Sequence, residues 1–70
     1  MEIFVFKTNL TNHYHINKVK PALNLHSQII QWNVDLQDCD KVLRVVSNKI
    51  AAPEIEALIN NAGYFCKELQ

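Results

Sequence analysis

The sequence predicts an α+β fold in which a four-stranded antiparallel sheet carries two helices on one face. Three observations lead there. Two stretches, one through Ile16, Val19 and Leu23 and one through Ile55, Leu58, Ile59 and Ala62, repeat apolar residues at helical spacing. Four others, at residues 2–9, 30–36, 42–46 and 64–69, are rich in β-branched and aromatic residues and alternate or run apolar as strands do. The order is β-α-β-β-α-β in two similar halves, and right-handed crossovers then set both helices on the same side of the sheet.

Residues 2–9 are apolar on both faces, Phe4 and Phe6 on one and Ile3 and Val5 on the other, which is the pattern of a central strand. Phe4 and Phe6 are in phase with Leu10, so all three are placed inward. Asn12 supplies a side chain that caps helices, and the stripe after it predicts a helix from about 13 to 25. Pro21 lies inside that helix and removes a backbone donor, which predicts a kink or loosening after Lys20.

Ile30, Trp32, Val34 and Leu36 alternate with Gln31, Asn33 and Asp35, so the apolar set should face the core and the polar set water. Gln37-Asp38-Cys39-Asp40 has turn composition, and residues 42–46 follow as the second arm of a hairpin. Pro53 suits the first turn of the second helix, and Gly63 ends it, because the residue that turns left-handed after a helix is usually glycine. Residues 64–69 form a short last strand. The architecture is the ferredoxin-like βαββαβ open-faced sandwich, with the second sheet face left open.

Seventy residues suffice for one core, so the whole chain, 1–70, is expected to be a single domain. Apolar residues make up 49% of it, with no Ser/Gly/Pro-rich tract and no repeat, which excludes disorder and solenoids. Seven basic and seven acidic residues are scattered, which removes the electrostatic footprint of nucleic acid or an anionic membrane, and neither is expected as a partner. The apolar start lacks a basic segment and a cleavage site and is too short to span a bilayer. Cys39 and Cys66 stand in different elements, so neither a disulfide framework nor a zinc ribbon is indicated, and a reduced, cytoplasmic protein is expected. No Ser/His/Asp arrangement, glycine-rich phosphate loop or catalytic carboxylate pair is present, so no enzyme is expected.

The candidate site is the junction from Lys7 to His15, where the first strand meets the first helix. It holds two of the three histidines, and the first N–H groups of a helix have no partner inside it. Around it, Phe6-Lys7-Thr8-Asn9, Lys18-Val19-Lys20-Pro21, Trp32-Asn33-Val34-Asp35-Leu36 with Asp40-Lys41-Val42-Leu43, Glu54-Ile55 and Ala62-Gly63-Tyr64 resemble heavy-metal-associated domains, the copper-chaperone-like modules. The resemblance covers essentially the whole chain. It implies the fold above and a soft-metal site in a Met-X-Cys-X-X-Cys loop between the first strand and first helix.

Laid on this chain, that motif is degenerate: its Met falls on Leu10, its first Cys on Asn12 and its second on His15, with His13 and Tyr14 between. Copper(I) depends on two soft thiolates, which also supply the negative charge that offsets the cation. An amide and imidazoles replace them here, beside a helix N-terminus that carries roughly half a positive charge. The expectation is weak or altered binding of a transition metal through His15 and His13, with Asn12 beside them; zinc, nickel and copper(II) all suit imidazole.

On a helix, His13 and His15 point to nearly opposite sides and converge only if the chain is extended there. Asn12 and His15 can converge at a helix start but offer one good ligand, where zinc normally takes four. The bland alternatives are a cap for Asn12, solvated first-turn positions for the histidines and a core position for Leu10. Cys66 is expected as a small buried hydrophobe, in the core or on the open face, and Cys39 as an unreactive thiol between Asp38 and Asp40. The second expectation is a metal-free interaction module that binds a protein partner, or itself as a homodimer, through the open sheet face bearing Ile3 and Val5.

Overall fold

Alternate positions of β1 (Glu2–Thr8) carry Phe4, Phe6 and Thr8, and this set turns toward the helices. The structure, a computed structural model, describes residues 1–69. After β1 come α1 (His13–Leu25), β2 (Ile29–Asp35), β3 (Val42–Ser47), α2 (Ala52–Asn61) and β4 (Cys66–Glu68). The sheet order is β2-β3-β1-β4 with every neighbouring pair antiparallel, so β1 is central as its two apolar faces predict. This is the ferredoxin-like arrangement.

The core lies between sheet and helices. Phe6, Leu43 and Val45 from the sheet meet Val19 and Leu23 of α1 and Ile55 and Ile59 of α2, all fully buried. Leu10 is equally buried, and Phe4 packs against the same cluster from its margin, so the inward phase predicted for Phe4, Phe6 and Leu10 holds. Among the described residues, no helix is long and apolar enough to cross a membrane.

Two expectations are corrected. Ile30, predicted inward, is 52% exposed, because β2 bulges between Ile29, which pairs with Ser47, and Gln31, which pairs with Val46. The extra residue hands the inward place to Ile29, and Trp32 and Val34 resume the alternation beyond it. Nor does α1 loosen at Pro21: it runs on to Leu25. Buried Val19 and Leu23 hold the helix on both sides of the proline, while Pro21 itself and Asn17, whose carbonyl loses its helical donor, are exposed to water.

The end of α2 follows the glycine signal closely. Gly63 has φ +94°, its N–H donates to Asn60 O at 2.9 Å, and Tyr64 N–H donates to Ile59 O at 3.2 Å. These are the two bonds of a Schellman turn. That turn takes up Tyr64 and Phe65, so β4 is shorter than the predicted 64–69. Ser47, on the inward side of β3, is fully buried, and its hydroxyl is the one buried side-chain polar atom without a partner among the described residues. An unpaired buried hydroxyl forfeits its hydration with nothing in return. We therefore expect Ser47→Ala to raise stability by about 1 kcal/mol in urea unfolding, against the usual sign for a core substitution.

Candidate functional site

The junction is tied down at three points before the helix begins. Thr8 N–H donates to Asp40 O at 3.0 Å, and the Thr8 hydroxyl donates to Lys41 O and accepts from Leu10 N–H at 3.2 Å. One side chain thus joins the end of β1 to the loop between β2 and β3. Asn9 Oδ1 accepts from Phe65 N–H at 2.8 Å, which ties the same segment to the approach to β4. Leu10 then enters the core as an apolar anchor.

Asn12 has extended backbone, φ −154° and ψ 174°, and its Oδ1 accepts from His15 N–H at 3.0 Å. That geometry is an N-cap, satisfying one of the free donors of the first turn. The structure brings Asn12 and His15 together, with the backbone of His15 as the group served. His15 Nδ1 accepts from Thr11 N–H at 3.1 Å and lies 3.1 Å from Thr11 Oγ1. A backbone N–H can only donate, so Nδ1 keeps its lone pair and the neutral ring carries its proton on Nε2. The imidazole also packs against Tyr64, with ring centroids 5.0 Å apart, and meets the edge of Tyr14 at 6.2 Å.

His13 is the first helical residue and is exposed. Because the helix is already formed there, His13 and His15 are separated by about 200° around its axis and do not face one another. No acidic residue stands in the first turn, so the helix carries no side-chain anion of its own at its positive end, and Lys18 lies 5.2 Å over the Tyr14 ring. Among the described residues, one group of three His, Cys, Asp or Glu side chains brings its donor atoms within 4.8 Å, and it is Asp38, Cys39 and Asp40 in the hairpin loop. Asp38 Oδ1 there accepts from Asp40 N–H at 2.8 Å within the loop, and the Asp40 carboxylate lies 3.6 Å from Lys7 Nζ of β1, so each carboxylate has a partner in the protein.

Cys66 points into the core opposite Thr8 and is buried. Burial, and after it the Glu56 carboxylate, push its thiol from the ordinary 9.0 up to about 12. Cys39 is exposed. Sequence reasoning placed Thr8 and Thr11 within the junction but assigned them no role, and it missed Tyr64 as a part of it. Thr11 lies four residues before His15 and next to the cap, a position where short hydroxyl side chains often bond locally, so its role had a signal. Thr8 and Tyr64 act across the fold and had none of their own.

No protein-family model matches this chain, and no curated protein matches it. Solved structures do. A copper binding domain from HMA7, a P-type ATPase, superposes with TM-score 0.86 at 20% identity, over 100% of this chain and 96% of that one. A chain of the Atx1-Cu(I)-Ccc2a complex gives 0.84 at 17% identity, over 100% and 97%. The copper(I)-loaded first domain of the human copper chaperone for SOD1 gives 0.78 at 18%, over 94% and 89%. The chain therefore has the fold of the heavy-metal-associated domains.

Three outcomes follow from the geometry. Asn12→Ala removes the cap and should lower stability by about 1 kcal/mol in urea unfolding, with Asn12→Asp retaining most of it. Cys39, exposed but flanked by the Asp38 and Asp40 carboxylates, should react only slowly with a thiol reagent in the native state, while Cys66 reacts only as the protein unfolds. Because the unfolded chain ionises Cys66 near 9.0 and the folded one near 12, stability should be unaffected below pH 9 and fall as pH rises across that window. Thermal unfolding of the parent and Cys66→Ala at pH 8 and pH 10 checks the sign, since the variant should lose most of the decline.

Proposed function

We propose that this chain is a small metal-related binding module of the heavy-metal-associated type, whose junction has exchanged copper(I) for weak binding of a borderline ion through His15 and His13. The observation that carries this is the state of the two positions that would hold thiolates: one is a helix cap and the other an imidazole with a single nitrogen to spare. Copper(I) does not fit that donor set, which offers no anionic sulfur. Zinc, nickel or copper(II) does, at His15 Nε2.

Weakness follows from the hydrogen bonds. To ligate through Nε2, the ring must carry its proton on Nδ1, donate it to Thr11 Oγ1 and give up the Thr11 N–H bond, a cost of about 1 kcal/mol. Recruiting His13 as well requires the first helical turn to fray and the Asn12 cap to open. Binding, with no catalysis, in a reducing and cytoplasmic setting is the role we assign, and the two free cysteines suit such a setting. The second reading, a metal-free interaction module, is favoured by a separate observation: Ile3 on the uncovered sheet face is 66% exposed.

Calorimetric titration of the reduced, metal-free protein with zinc, nickel, copper(II) and copper(I) tests the proposal. We expect weak saturable binding of at least one divalent ion, lost in the His13→Ala/His15→Ala variant, and copper(I) behaviour that the same variant leaves unchanged. Silence with every ion, or divalent binding that survives both substitutions, overturns the metal reading.

A further inference from the structure

We propose that the sheet face left uncovered by the helices is a docking surface for an acidic, partly apolar segment of another protein. The inference stands apart from metal binding at the junction and gives the second reading above its partner's chemistry. Pairing of β1 with β3 and β4 turns Phe6, Leu43, Val45 and Cys66 to the core, and so turns Ile3, Val5, Lys7, Arg44, Val46 and Lys67 to the open side. Ile3 stands directly opposite Val46. Leu69, whose N–H donates to Val5 O, continues the alternation of β4 to the same side at 38% exposure, and Phe65 precedes it at 47%.

This apolar strip adjoins a run of cations that the fold leaves poorly compensated. Lys7 and Lys67 are direct cross-strand partners, and like charges in that position repel. Lys7 has one acid nearby, Asp40 at 3.6 Å, while Lys67 and Arg44 form no ion pair among the described residues. Asp35, diagonal to Arg44 across β2 and β3, turns an oxygen to Gln37 N–H at 2.9 Å and forms no ion pair among the described residues. A chain with zero net charge thus places three cations, two of them without an ion pair among the described residues, on a surface that also exposes aliphatic side chains.

An acidic segment answers both features. Its carboxylates form charge-assisted bonds to Lys7, Lys67 and Arg44 and relieve the cross-strand repulsion, while its apolar side chains cover Ile3, Val46 and Leu69. A second copy in the same orientation would bring lysine onto lysine, which argues against a face-to-face homodimer.

The test uses the whole chain, labelled with nitrogen-15, and follows its amide shifts on addition of a short synthetic peptide of alternating Glu and Val. The same peptide with Lys for Glu and phosphatidylserine/phosphatidylcholine vesicles are added in parallel, and sedimentation reports self-association. We expect saturable shifts at Ile3, Val5, Lys7, Arg44, Val46 and Lys67, and none with the Lys peptide. Lys67→Glu sets opposite charges across β1 and β4 and so keeps the fold; it should weaken the acidic peptide about tenfold, the equivalent of roughly 1.4 kcal/mol. Arg44→Gln gives a second, milder loss. The proposal is overturned by absence of shifts at millimolar peptide, shifts confined to the junction or helices, equal affinity after Lys67→Glu, a dimer formed through this face, or tighter binding to vesicles than to peptide. None of these outcomes depends on a metal, so they leave the titration at the junction independent.

Discussion

The structure depends on burying both Phe6 and Leu10, four positions apart in sequence, while the chain changes from strand to helix between them. A strand that simply continued would keep Leu10 inward but carry the chain past the end of the sheet; a helix begun at once would turn Leu10 away. The residues from Thr8 to Asn12 resolve the conflict. Thr8 satisfies the Leu10 N–H locally and reaches the hairpin loop, Asn9 ties the backbone to Phe65, and Asn12 starts the helix only after the leucine is seated. The junction is therefore a packing solution before it is a binding site, and its polar side chains are largely occupied with backbone groups.

Against that background, having an amide and an imidazole where thiolates would stand, as proposed, involves more than ligand softness. A thiolate at a helix N-terminus is stabilised by the free N–H groups and partial positive charge there, so a metal site and the helix end support each other. Asn12 uses one of those N–H groups, that of His15, for a neutral cap. The cap brings no anion to the helix end, and a cation arriving there meets a positive dipole that the cap does not offset. A cap at this position thus supports the helix without supplying the anion that soft-metal capture needs, so on the proposed reading the likeness in fold does not carry copper chemistry with it.

Much of the architecture was legible because it rests on local periodicity. The alternation in β1, the stripe in α2, the Asn12 cap and the Gly63 turn each act within a few residues and were placed correctly. Ile30 was not, because a bulge changes the phase of a strand without changing its composition, and only the pairing of Ile29 and Gln31 with neighbouring residues of β3 reveals it. Pro21 misled for the opposite reason: a local penalty was outweighed by the burial of Val19 and Leu23. At the junction, the identities of Asn12, His13 and His15 were plain, but what His15 does was set by Thr11 beside it and by Tyr64 from the far end of the chain.

Strand β1 also explains why the two surfaces can be separated. Its even-numbered residues Phe6 and Thr8 face the core and hold the junction, while Ile3, Val5 and Lys7 face outward. A change at an outward position leaves the inward set, and with it the Thr8 and Leu10 contacts, in place. Sites that share no partner behave additively. Lys67 and Arg44 share none with Asn12 or His15 among the described contacts, so charge on the open face and ligation at the junction are free to vary independently. One link between them runs through Lys7, whose partner Asp40 also offers its carbonyl to Thr8 N–H. That aspartate bonds to the junction with its backbone and to the open face with its side chain, and the Asn9–Phe65 bond is a second link, from the junction to the approach of β4.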